Sequence, residues 1–157
     1  TGTSRCLPPQ APPAYRVVIF ILPGSIPMVT AARLGKPCCV EIGNGRSVVC
    51  SDTHKDGQGG DAGMRPHELL ECALAACICM SIDLAAARAG MTLPACTADV
   101  TIDRLDHETG FDIALRFAAP LSHLQQALVR DAVRTSPVAR TLGKPVRVRP
   151  PTIGHDG

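Results

Sequence analysis

Eight cysteines, at positions 6, 38, 39, 50, 72, 77, 79 and 96, are the residues of this chain most able to do chemistry. Thiols serve as disulfides, as metal ligands or as nucleophiles, and their spacing separates these uses. A chain of 157 residues is long enough for a core of its own and needs no covalent staples. Cys72, Cys77 and Cys79 fall in one apolar run that reads as helix. At about 100° per residue, Cys72 and Cys79 share a direction to within ~20° but stand two turns apart, while Cys77 and Cys79 diverge by ~160°. Paired ligands on a helix need a spacing of three or four residues, so a zinc ion would require Cys50 or a histidine from elsewhere. Most of these thiols are therefore expected to pack a tight helix interface.

Other motifs carry less. Residues 57–62 (GQGGDA) match a dinucleotide fingerprint in form, but the preceding SDTHKD is no buried strand, and Asp61 would repel a pyrophosphate. No Gly-Lys-Ser/Thr follows, which excludes a P-loop, and no Gly-x-Ser-x-Gly elbow supports serine hydrolysis. The basic residues between Arg130 and Arg149 are broken by apolar positions and Asp131, as on a solvated face. Net charge is +2, with no Trp, one Tyr and three Phe, so neither polyanion binding nor base stacking is expected. No nucleic-acid partner, membrane partner, cofactor or metal is assigned.

Several elements must position the thiols. Residues 1–30 read as an N-terminal extension, Pro-rich over 1–14, followed by an apolar stretch broken by Pro23 and Pro27. That stretch is too short to span a bilayer. It reads as an edge strand or as sequence upstream of a start at Met28, with a signal peptide the weaker alternative. A cytoplasmic location is expected. Residues 38–51 form a hairpin about Gly43-Asn44-Gly45, and 52–65 a glycine-rich polar loop. Pro66 opens a long helix that Arg88 and Gly90 end. It is apolar on nearly every side from 69 to 87, which predicts a buried central helix. A second hairpin follows Pro94. An amphipathic helix comes next, with Leu124, Leu128 and Val133 as its apolar stripe, then a short helical turn from Ser136-Pro137 and a last strand over 144–150. The order is that of an α+β fold with an antiparallel sheet. Residues 31–150 are one domain, and 151–157 a polar tail.

Two blocks, GMRPHELLECALAAC (63–77) and SPVARTLGKPV (136–146), resemble the signatures of the OsmC/Ohr family. In that family a reactive cysteine follows the helix-opening Pro by eleven positions; Pro66 plus eleven is Cys77. The resemblance implies an intertwined homodimer with two long central helices packed together and two sites at the interface. Its characterised members reduce organic hydroperoxides. A thiolate attacks the O–O bond, becomes a sulfenic acid and condenses with a second cysteine, while an Arg and a Glu assist.

This chain departs from that pattern twice. Ser136 stands where the family has its resolving cysteine, so Cys77 would need another cysteine, such as Cys50 or Cys39, or an external thiol. His67 stands where the peroxidase Glu follows the Pro, and Glu68 comes one place later. Glu68 points about 180° from Cys77 and His67 about 80°. Glu68 suits a first-turn acid or a contact across the dimer, and His67 either supports the thiolate or is simply solvated. Cys77 lies mid-helix, so a nearby cation should activate it; the resemblance implies an Arg from the region before the central helix, with Arg46 the first choice and Arg65 the second. The catalytic set is thus Cys77, Glu68, Arg46 and His67. Two function classes stand: a peroxidase using small hydroperoxides and an external thiol reductant, or a non-enzymatic dimer binding a small apolar or thiol-reactive molecule. Cys77 favours the first, Ser136 and His67 the second.

Overall fold

The computed structural model describes residues 29–154, which fall into two compact units divided between Met64 and Arg65. The expectations for residues 1–28 and for the last three residues lie outside the described region.

The first unit is a three-stranded antiparallel sheet of β1 (Thr30–Arg33), β2 (Cys39–Gly43) and β3 (Val48–Asp52), in that order. The expected hairpin is β2–β3, paired from Cys39↔Asp52 to Gly43↔Val48. Its turn is closed by Asn44, whose Oδ1 accepts the N–H groups of Arg46 and Ser47 at 3.0 and 2.9 Å. Gly45, at φ 82°, supplies the left-handed step. Strand β1 has no alternating pattern to announce it; its four residues are held by the ladder to β2.

Beyond β3 the glycine-rich segment is a connecting loop, organised by one carboxylate. Buried Asp52 accepts the N–H groups of Thr53, Gly60 and Ala62. Gly59 is required where the chain folds back: its φ is +82°, and a Cβ there would lie 1.9 Å from the Thr53 carbonyl oxygen. The loop's end is tied to β3 by Ser51, whose Oγ donates to the Met64 carbonyl at 2.8 Å.

The second unit is built on α1 (Pro66–Arg88), followed by β4 (Cys96–Arg104), β5 (Thr109–Phe117), α2 (His123–Thr135) and α3 (Pro137–Leu142). Antiparallel β4–β5 is the expected second hairpin; its register sets Cys96 opposite Phe117, Ala98 opposite Leu115 and Ile102 opposite Phe111. These apolar positions share one face because side chains alternate along a strand. On that face Cys96, Val100, Phe111, Leu115 and Phe117 pack against a core of Leu74, Ile78 and Ile82 from α1 and Val129 and Ala132 from α2. Glu71 ties α1 to the hairpin, its carboxylate accepting the Ile102 N–H at 2.7 Å. By length and composition α1 would also qualify to cross a membrane, with a mean hydropathy of 1.9; in this unit it is the core helix.

Three expectations change. The buried face of α1 is one stripe, Leu74, Ile78, Ile82 and Ala86, while Leu70, Met80 and Leu84 stay exposed. Periodicity cannot tell a helix buried by its own chain from one with an apolar face left over. The buried stripe of α2 is centred on Val129 and Ala132, and Leu124 is exposed. Residues 144–150 form no strand: Val146 and Val148 alternate with basic residues, but no described strand pairs with them. Alternation without a partner edge does not make a ladder.

Candidate functional site

Cys77 lies midway along α1, half-buried, and its Sγ accepts the backbone N–H of Val138 at 3.4 Å. That contact is made by the start of α3. Ser136 precedes α3 as its N-cap, with Oγ accepting the Ala139 N–H, and Pro137 fits the first helical position because its missing N–H is not needed there. The side chain of Ser136 is 1% exposed. The two signature blocks of the sequence therefore meet at one place, with the sulfur of one on the backbone of the other. A negative sulfur formed there has an N–H donor already aimed at it. Sequence reasoning expected activation by a cation and missed this donor. Its only trace in the sequence is Ser136-Pro137 as a helix start.

The other predicted residues of α1 lie along the helix from Cys77. Glu68, at the third position of α1, reaches back to accept the Arg65 N–H at 2.8 Å, while the Arg65 guanidinium grips its other oxygen at 2.8 and 2.9 Å. These bonds, the backbone one first, hold the Glu68 carboxyl below its usual range. Glu68 thus completes the helix start, as a first-turn acid does. The ring of His67 lies 3.4 Å from the Arg104 guanidinium, on an exposed surface. A helix rises about 1.5 Å per residue, so His67 and Glu68 stand some 15 and 13 Å along the axis from Cys77. Neither touches the Cys77 sulfur of its own chain. Arg65 is committed to Glu68. Arg46 belongs to the first unit, at the exposed tip of the β2–β3 hairpin.

The remaining thiols separate by environment. Burial, reinforced by neighbouring Cys79 and Asp83, pushes the Cys96 thiol up from its usual value. Burial and Cys39 do the same for Cys50. Among the described residues no group of three or more metal-ligating side chains converges. An open groove one turn beyond Cys77 is lined by Ser81, Leu84, Arg88, Leu128, Asp131 and Pro137.

Among curated protein sequences none matches this chain. Among solved structures the fold recurs clearly. A Psychrobacter arcticus protein described as a putative osmotic stress induced and detoxification response protein superposes with a TM-score of 0.64 at 21% identity, over 78% of this chain and 91% of its own. An OsmC-like protein from Mycoplasma pneumoniae gives 0.62 at 19%, covering 76% and 88%. A Vibrio cholerae protein described as a putative organic hydroperoxide resistance protein, with captopril bound in one of its active sites, gives 0.53 at 23%, covering 76% and 86%. At these identities the likeness establishes the fold. The family model for OsmC-like protein, however, matches residues 57–150 directly, spanning both blocks that meet at Cys77. On that match, and on a fold shared across nearly the whole length of these structures, the chain belongs to the OsmC-like family.

Proposed function

We propose that the chain is a thiol-dependent reductase of organic hydroperoxides, with Cys77 as the reacting thiol. The observation that carries the reading is the Val138 N–H directed at the half-buried Cys77 sulfur. In the first step the thiolate attacks the terminal oxygen of ROOH. An S–O bond forms as O–O breaks, leaving a Cys77 sulfenic acid, and the alkoxide leaves as the alcohol on taking a proton. Ser136 cannot close a disulfide, so an external thiol condenses with the sulfenic acid, releasing water and leaving a mixed disulfide. A second external thiol regenerates Cys77 and departs in the external disulfide. A reduced cytoplasm supplies such thiols.

The reading includes a homodimer. With His67 and Glu68 two to three turns from Cys77 on the same helix, their part in the reaction falls to a contact with the partner's site. Arg46 remains the first candidate for the activating cation. The buried Ser136 cap favours a second reading, in which the family pocket is kept for binding without turnover.

Treating the reduced protein with an organic hydroperoxide and following each thiol by peptide mass spectrometry tests the proposal. Cys77 should gain oxygen, or an adduct with added thiol, ahead of half-buried Cys96. Oxidation at Cys77 no faster than at Cys96 overturns the reductase reading. Binding of small apolar molecules without oxidation would favour the second.

A further inference from the structure

The first unit holds a pair of thiols that the proposed Cys77 chemistry does not use. Cys39 opens β2 and Cys50 sits in β3, with sulfurs 3.7 Å apart. The register pairs Cys39 with Asp52 and Glu41 with Cys50, so the two cysteines are diagonal neighbours. Alternation then puts both on the same face of the hairpin. The turn before β2 fixes which cysteine takes that position. Cys38 adopts a left-handed φ of 63°, unusual for a residue with a Cβ, and the Cys39 N–H closes the turn onto the Lys36 carbonyl. Cys38 is consequently exposed, while Cys39 is buried against Cys50 at 6% exposure.

We infer that Cys39 and Cys50 form a redox-active dithiol, closing a disulfide across the hairpin by exchange with a low-molecular-weight disulfide. Half-buried Cys50 is the entry point. Burial and the neighbouring Cys39 push its thiol up, so its thiolate is the minor form near neutral pH and the exchange quickens as pH rises. That thiolate attacks one sulfur of the external disulfide, forming a mixed disulfide and expelling one external thiolate. Cys39, as thiolate, then attacks the Cys50 sulfur and expels the second. The protein loses two S–H protons and two electrons, and the external disulfide leaves as two thiols. The sulfurs must close from 3.7 Å to the roughly 2.05 Å of a disulfide bond, and because diagonal neighbours stand about 7–8 Å apart at the backbone, closure draws the two strands together as well as the side chains. The cross-link would pin the end of the hairpin beside Asp52, the residue that organises the glycine-rich loop. It requires nothing of Cys77.

Tryptic mapping of the full chain reads the pair directly. Cleavage after Arg33, Arg46 and Lys55 puts Cys39 in peptide 34–46 and Cys50 in peptide 47–55. After equilibration with oxidised dithiothreitol or glutathione disulfide, the two peptides should be joined, on a chain still running as a single chain in a denaturing, non-reducing gel. The join should survive Cys38→Ser and vanish in Cys39→Ala and Cys50→Ser. The inference is overturned if wild type yields no joined pair, if oxidation stays within peptide 34–46 as a Cys38–Cys39 disulfide, if the join persists in Cys39→Ala, or if it appears only between chains. Wild type and the exposed Cys38→Ser variant decide the matter even where the buried-site variants fail to fold.

Discussion

Ser136 is buried, and its Oγ accepts from Ala139 while Val138, two residues on, donates to Cys77. The serine thus shapes the helix start that presents an N–H to the sulfur. Ser136→Ala should cost about 1 kcal/mol through the lost cap, read from denaturant midpoints. Ser136→Cys tests the proposed chemistry from the other side. Hydroperoxide should convert that variant to an internal disulfide between Cys77 and the introduced thiol, seen by non-reducing peptide mapping and absent from wild type. Asp52 offers a pH test. Burial pushes its carboxyl up, but the N–H groups of Ala62, Gly60 and Thr53 outweigh that and hold it below its usual value. A lowered folded value means the stabilisation is complete above the unfolded value of about 3.9 and fades as pH falls through the folded one. The amide protons of Thr53, Gly60 and Ala62 should therefore shift together in acid, below that usual range, and stay level from pH 5 to 8. Separate titrations would contradict the shared carboxylate.

At the level of elements, both hairpins and all three helices among the described residues were legible because each carries a local signal: Asn44-Gly45 for the first turn, Pro66 and Pro137 as helix starts, near-helical apolar spacing in α2, and alternation in β4 and β5. Strand β1 was not, since its four residues are set by pairing with β2 rather than by pattern. Residues 144–150 show the reverse case, a pattern without a partner. The candidate site divides the same way. Cys77 and Ser136 could be named from the family resemblance of the two blocks, whereas the Val138 donor is a backbone group whose direction exists only once α3 packs on α1. That packing rests on a narrow stripe, with Ile78 fully buried one residue after Cys77. Ile78→Ala should cost about 2–5 kcal/mol and loosen the seat of the thiol as well. Equilibrium unfolding reads the first effect, and the rate of hydroperoxide oxidation at Cys77 the second.

For the whole molecule the telling feature is what α1 leaves uncovered. Leu70, Met80 and Leu84 are 44%, 64% and 56% exposed, and Ala73, Ala76 and Ala87 are exposed with them. At about 100° per residue these six positions span an arc of only ~120°, opposite the stripe that carries Ile78 and Ile82. Between Leu70 and Leu84 the strip runs ~20 Å along the axis, and an apolar band of that length is costly to leave in water. The same arithmetic places Cys77 between the directions of Leu70 and Leu84, so the thiol opens toward the uncovered face. A second copy of α1 laid on this face would bury the strip and enclose Cys77 from a side that the described residues leave open, as a site at a dimer interface requires. Wild type should therefore sediment as a dimer at micromolar concentration. Met80→Glu, at the most exposed of the large apolar residues on the helix, should shift it to monomer and slow hydroperoxide oxidation of Cys77 at least tenfold, with circular dichroism unchanged. Sedimentation velocity on both proteins settles the assembly, and a monomeric wild type that oxidises Cys77 at full rate would break the link between interface and site.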